Sequence, residues 1–128
     1  MRVITGTARG RVLRTLEGED VRPTTDRVKE AVFSIIQFEI EGRRVLDLFA
    51  GSGQLGIEAL SRGAGSATFG DMSKDSLSAV KYNLEHTKLG DSAKVIQTDA
   101  LSFLKLTKDK FDIVFLDPPY ASSLVVDS

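Results

Sequence analysis

The feature that most constrains the fold is a glycine turn set between a short apolar run and a helical stretch. Arg44-Val45-Leu46-Asp47-Leu48 reads as a buried strand, Phe49-Ala50-Gly51-Ser52-Gly53-Gln54-Leu55-Gly56 follows, and Ile57 to Arg62 is helical in character. Gly51, Gly53 and Gly56 fit G-x-G-x-x-G with a strand before and a helix after, the context in which the pattern has meaning. Without Cβ atoms the backbone turns tightly and a ligand can come close. The helix amino terminus beyond it favours a polar or anionic group.

Further strands follow at regular intervals. Ser66-Ala67-Thr68-Phe69-Gly70 runs into Asp71, 20 positions after Gly51, where a ribose-binding acid belongs. Ala93 to Thr98 ends in Asp99-Ala100, where an acid could meet an adenine amine. Phe111 to Leu116 is the last. Strands beginning near Arg44, Ser66, Ala93 and Phe111, separated by helices, predict a parallel α/β sheet with ligand at the carboxyl ends beside the first strand. Asp47, Asp71 and Asp99 recur at successive strand ends, a pattern unlike that of solvated surface acids.

The last run stops in Asp117-Pro118-Pro119-Tyr120. Each proline fixes its own φ, lacks a backbone donor and pushes the residue before it into extended geometry, so the carbonyls are held outward. Asp117 and the Pro118 carbonyl can grip both hydrogens of an exocyclic NH2 while Tyr120 offers a face for a base. Such chemistry fits methyl transfer to a planar amine. A nicotinamide site is disfavoured, because Asp47 stands where that site has an apolar residue and the Asp117 to Tyr120 motif has no part in hydride transfer. A phosphate-binding P-loop lacks its Gly-Lys-Ser or Gly-Lys-Thr.

Arg22-Pro23-Thr24-Thr25-Asp26-Arg27-Val28-Lys29-Glu30-Ala31-Val32-Phe33, Leu46 to Gly53, Leu55-Gly56-Ile57-Glu58-Ala59-Leu60-Ser61-Arg62-Gly63-Ala64 and Asp117 to Tyr120 together resemble the bacterial RsmD family, which methylates guanine N2 in small-subunit ribosomal RNA. The first and third blocks are the more specific, since many class I methyltransferases share the glycine loop. The resemblance implies a Rossmann-like, S-adenosylmethionine-dependent methyltransferase sheet with strand order 3-2-1-4, preceded by an amino-terminal hairpin and helix. It implies cofactor contacts from Asp47, Phe49, Ala50, Gly51, Ser52, Gly53, Gly56, Asp71, Met72, Asp99 and Ala100. Asp47 would lie near the amino group, Asp71 on the ribose and Asp99 by the adenine. Asp117, Pro118, Pro119 and Tyr120 would hold and stack the target guanine, with no metal. Gly70 departs from the pattern, where a β-branched residue is more usual, and predicts a looser backbone around Asp71. Adenine or glutamine amines remain alternative substrates, and a non-catalytic fragment that binds cofactor or RNA remains an alternative to an enzyme.

The chain has 128 residues, 41% hydrophobic and 27% charged, with no cysteine. That fits one globular methyltransferase domain, residues 1–43 forming the hairpin and helix and 44–128 the cofactor core. No apolar run is long enough to span a bilayer and no secretory leader is evident, so a cytoplasmic address is expected. The net charge of −1 hides a local asymmetry. Residues 1–14 hold Arg2, Arg9, Arg11 and Arg14 and no acid, whereas residues 45–128 hold 8 basic and 11 acidic side chains. Val3 to Thr5 and Arg11 to Arg14, flanking Gly6 to Gly10, predict a hairpin that presents arginines, with Arg22, to phosphate of ribosomal RNA or a small-subunit assembly particle.

Pro23-Thr24-Thr25 starts a helix whose apolar face is Val28, Ala31, Val32, Ile35 and Ile36. Ser73 caps another, with Leu77, Val80 and Leu84 inward. His86, the single histidine, reads as a surface residue with no metal role. By residue type alone Tyr82 and Met72 carry no chemistry, although Met72 adjoins Asp71. In the fold this chain resembles, a helix and three more strands follow the Asp-Pro-Pro-aromatic motif. Their absence predicts a sheet edge at residues 111–116, open to self-association.

Overall fold

The computed structural model describes residues 3–14, 25–48, 53–107, 110–116 and 124–127. The elements alternate: α1 (Thr25–Ile36), β1 (Arg44–Leu48), α2 (Gln54–Ser61), β2 (Ser66–Asp71), α3 (Lys74–Thr87), a 3-10 turn (Gly90–Ser92), β3 (Ala93–Gln97), α4 (Ala100–Leu106), β4 (Ile113–Leu116) and β5 (Leu124–Asp127). The sheet order is β3-β2-β1-β4-β5. β1 pairs in parallel with β2 and β4, and β2 with β3, which realises the expected 3-2-1-4 order.

Strand residues alternate between two apolar layers because successive side chains leave a pleated strand on opposite faces. Val45, Ala67, Phe69, Ile113 and Phe115 enter a large core with Phe33, Ile36, Ile57, Leu60, Val80 and Leu84. Leu46 and Leu48 join Phe103 of α4 in a smaller one, with Ile96, Phe111 and Val114 packed against it. Helices therefore cover both faces, as a parallel sheet requires. α3 is capped as expected, with Ser73 Oγ accepting the Ser76 amide at 3.2 Å, and Leu77, Val80 and Leu84 are buried.

Three expectations are corrected. β4 is not an edge, because β5 pairs antiparallel with its outer side, Leu116 opposite Leu124 and Ile113 opposite Asp127. Self-association through an open edge at 111–116 is thereby overturned. Val32 and Ile36 of the expected α1 face do pack on the core, but Lys29 and Phe33 join them there, while Ala31 and Ile35 face solvent, Ile35 being 82% exposed. Two overlapping stripes satisfied the helical period, and the one bearing the large Phe33 ring, 5.6 Å from that of Phe115, is the one buried. The Val28 side chain lies outside the described residues. Gly70 does not loosen β2: it is paired on both sides, with Leu48 and Ile96. An added Cβ there would already meet Leu48 Cδ2 at 3.1 Å.

The amino-terminal segment closes as a hairpin. Its closure rests on two bonds, Val3 N–H to the Arg11 carbonyl at 3.0 Å and Gly10 N–H to the Val3 carbonyl at 2.9 Å. Residues 3–14 form an arm seated on the helices, with Val3, Ala8 and Leu13 buried in the large core.

Candidate cofactor and nucleic-acid site

The strand register aligns the carboxyl ends. Leu48 lies opposite Gly70 on one side and Leu116 on the other, and Asp71 opposite Gln97. Gly53, Asp71 and the carboxyl end of β4 at Leu116 therefore share one edge of the sheet.

α2 begins there on Gly53, which has φ 83° and gives the helix no side-chain cap. Asp47 supplies the cap from the neighbouring strand: its Oδ2 accepts the Gly56 amide at 3.0 Å, and its side chain is 1% exposed. A carboxylate at the positive end of a helix is favourable in its own right. Gly56 permits the contact, because a Cβ there would stand 2.3 Å from Phe69 Cε1 and 3.2 Å from Asp47 Oδ2. The third glycine of the motif is thus a close-packing residue between helix and strand.

Asp71 closes β2. Its Oδ1 accepts the Ser73 amide at 2.9 Å and its carbonyl accepts the Thr98 amide at 3.0 Å, which fixes the turn into α3. Met72 beside it is exposed, its carbonyl accepting from Gln97 Nε2 at 3.1 Å. Asp99 caps α4, of which Ala100 is the first residue, with Oδ1 on the Ser102 amide at 2.8 Å and Oδ2 on the Ser102 hydroxyl at 2.7 Å. The three strand-end acids are brought to one edge, and each also holds a helix start in place.

Phe49, Ala50, Gly51, Ser52, Asp117, Pro118, Pro119, Tyr120, Arg2 and Arg22 lie outside the described residues. Arg9, Arg11 and Arg14 are exposed on the arm. Arg14 also lies over the Tyr82 ring, 5.4 Å to its centroid, and Tyr82 stacks on the exposed His86 at 6.0 Å. An open groove lined by Lys81, Glu85, Lys88 and Asp91 lies between the end of α3 and the start of β3. It is at the opposite end of the sheet, mixed in charge, and holds none of these acids. Among the described residues no group of acids and histidine could hold a metal, and no helix is long and apolar enough to cross a membrane.

Sequence reading missed Glu58. It is 0% exposed, its Oε1 is 3.3 Å from Lys29 Nζ, and its Oε2 accepts from Arg62 Nε at 2.8 Å. A signal was present: Glu58 sits among the apolar residues of α2, where an acid needs a partner to be tolerated.

A parallel 3-2-1-4 order with a glycine turn after β1 and an acid closing β2 defines the Rossmann-like fold of class I methyltransferases. The Escherichia coli protein yhhF, provisionally described as a methyltransferase, superposes with a TM-score of 0.85 at 43% identity, covering 94% of this chain and 65% of that one. The chain belongs to the family described as conserved hypothetical protein 95, which matches residues 1–128, and the RsmD resemblance holds. Ribosomal RNA small subunit methyltransferase D of Haemophilus influenzae is 45% identical over 127 residues, 97% of this chain and 66% of that protein. Bacillus subtilis YlbH, provisionally named as an rRNA methyltransferase, is 46% identical over 123 residues, 94% of this chain and 67% of its own length. The chain spans about two thirds of the length of these relatives.

Proposed function

We propose that this chain carries the cofactor half and the amine-binding motif of an S-adenosylmethionine-dependent methyltransferase acting on guanine N2 of small-subunit ribosomal RNA. The observation that carries the reading is the register. It sets the end of β2, the α2 amino terminus and the end of β4 side by side, with β1 between. Two strand spacings, about 10 Å, separate the Asp71 strand from the strand leading to Asp117. That span suits a ligand lying across β1 with its ribose at one side and its reactive end at the other.

The donor set fits the cofactor. Asp71 supplies a carboxylate for ribose hydroxyls, exposed Met72 an apolar surface for the adenine, and the α2 amino terminus a positive end for the cofactor's carboxylate. The bound cofactor supplies an electrophilic methyl on a sulfonium. What remains for the protein is orientation. A guanine amine is a poor nucleophile because its lone pair is delocalised into the ring. In this reading Asp117 and the Pro118 carbonyl accept both N–H bonds and draw the nitrogen toward pyramidal geometry, and Tyr120 stacks on the base. Such positioning can contribute roughly 7 to 11 kcal/mol. Asp117 also opposes the positive charge that develops on nitrogen. The substrate reading draws further support from the relatives named as rRNA methyltransferases and from the exposed arginines of the arm.

Calorimetry tests the cofactor assignment: the wild type should bind S-adenosylmethionine, and Asp71→Ala should lose affinity by about tenfold or more, the worth of a charged acceptor on a hydroxyl pair. Labelled methyl transfer to RNA, DNA and protein substrates, followed by nucleoside analysis, tests the target. N2-methylguanosine in small-subunit ribosomal RNA is the expected product. N6-methyladenosine or methylated glutamine would overturn the guanine assignment.

A further inference from the structure

Glu58, Ser61 and Arg62 belong to the family-specific block for which sequence alone supplied no role. In the structure all three hold the arm. Glu58 Oε1 accepts the Ile4 amide at 2.8 Å and Oε2 the Thr5 amide at 3.0 Å. Ser61 Oγ accepts the Ala8 amide at 2.9 Å and donates to the Thr5 carbonyl at 2.7 Å, and the Ser61 carbonyl accepts the Thr7 amide at 2.8 Å. Arg62 Nη2 lies 3.4 Å from Thr5 Oγ1. Lys29, from the other family-specific block, completes the charge set from α1. Further along, Asn83 of α3 accepts the Arg14 amide at 2.6 Å and donates to its carbonyl at 2.8 Å.

The arm is therefore bonded more to α2 and α3 than to itself. Gly6 is the point of closest approach. Its φ is 98°, and a Cβ there would stand 1.8 Å from the Ser61 carbonyl oxygen. Beyond it Arg9 and Arg11 extend into solvent. The helix that grips the arm at its last turns is the one whose first turn carries the last glycine of the motif.

We infer that Glu58 is a positioning residue for RNA: with Ser61 it clamps the basic arm onto α2, so that Arg9 and Arg11 meet phosphate in a fixed place relative to the cofactor edge. The inference rests on the proposed RNA substrate. It goes beyond that reading by assigning Glu58 and Ser61 to RNA placement, with Lys29 as the charge partner of Glu58.

Two variants test it by different routes. Glu58→Gln keeps the shape, but one of its two terminal atoms becomes a donor facing donors. Gly6→Ala lifts the arm off Ser61 while leaving Glu58, Lys29 and Arg62 intact, so it keeps the test open if the first variant does not fold. An Arg9→Gln/Arg11→Gln variant is the reference for loss of the phosphate contacts alone. Hydrogen exchange at the Thr7 and Ala8 amides should quicken in both clamp variants. In filter binding of labelled small-subunit ribosomal RNA across salt concentrations, both should lose about 1.4 to 1.8 units of logarithmic slope, as the reference does, for two phosphate contacts. S-adenosylmethionine affinity should stay within about twofold of wild type. Wild-type RNA affinity and slope in Gly6→Ala would overturn the inference. So would an equal loss of RNA and cofactor binding, which would make the clamp a general scaffold. RNA binding absent in the wild type itself would sink the RNA substrate, and the clamp's role with it.

Discussion

The strand-end acids and the acid inside α2 make bonds of opposite range. Asp71, Asp99 and Asp47 accept from amides 2, 3 and 9 positions away. Glu58 accepts from amides 54 and 53 positions away and pairs with Lys29 on a different helix. The first group shapes local turns at the carboxyl edge, Asp71 and Asp99 within reach of solvent and Asp47 buried beneath α2, at little cost in chain ordering. Glu58 has no such edge, and its carboxylate is tolerated inside only because separate segments bring it hydrogen bonds and positive charge. A ligand can be met by the first kind of acid, whereas the second kind holds segments in place.

Removing the buried acid should have the largest effect and is the sharpest way to break this contrast. Glu58→Ala leaves Lys29, 1% exposed, without this acid partner and should cost about 3 to 5 kcal/mol in denaturant unfolding. Adding Lys29→Met should restore much of the loss, since an apolar side chain needs no counter-charge there. Equal instability of the single and double variants would show that the ion pair is not what fixes the hub.

The strand-end acids should respond more mildly and unequally. Asp71→Ala and Asp99→Ala each remove hydrogen bonds at a helix start and should each cost about 1 kcal/mol in thermal unfolding. Asp99 places both oxygens on Ser102, so its loss should weaken S-adenosylmethionine binding less than the loss of Asp71. Equal weakening would give the two acids one role.

The smallest effect is expected on α1 and just beyond its end. Ile35→Lys and Phe38→Ser change side chains that are 82% and 92% exposed, and each should move unfolding by less than about 0.5 kcal/mol. A large loss would return Ile35 to the core face that periodicity alone assigned to it.

Much of the fold was legible because its determinants are close together in the chain. The first three strand runs, the glycine turn, the Ser73 cap and the acids closing β2 and preceding α4 are all local, and they predict β1 to β3 and the start of α3 to within a residue, while α2 begins at Gln54, three residues before the expected Ile57. The parallel order 3-2-1-4 followed from the resemblance that those local motifs carried. Three features were not legible. The α1 stripe was ambiguous by rotation, since residues 28, 31, 32, 35 and 36 repeat at helical spacing as well as 29, 32, 33 and 36 do. β5 pairs with β4 in a manner that no local pattern announced. Asp47 reads in sequence as a ligand residue, and only its approach to Gly56 shows that it caps α2.

Sequence by itself thus determined where strands stop, where the chain turns and which residues share the carboxyl edge, because those depend on backbone freedom and on period over a few residues. Tertiary structure alone decided that Lys29 and Glu58 could be buried and that the arm lies on α2. A buried charge is tolerable only when its partners arrive from distant segments, and no spacing along the chain records that arrival.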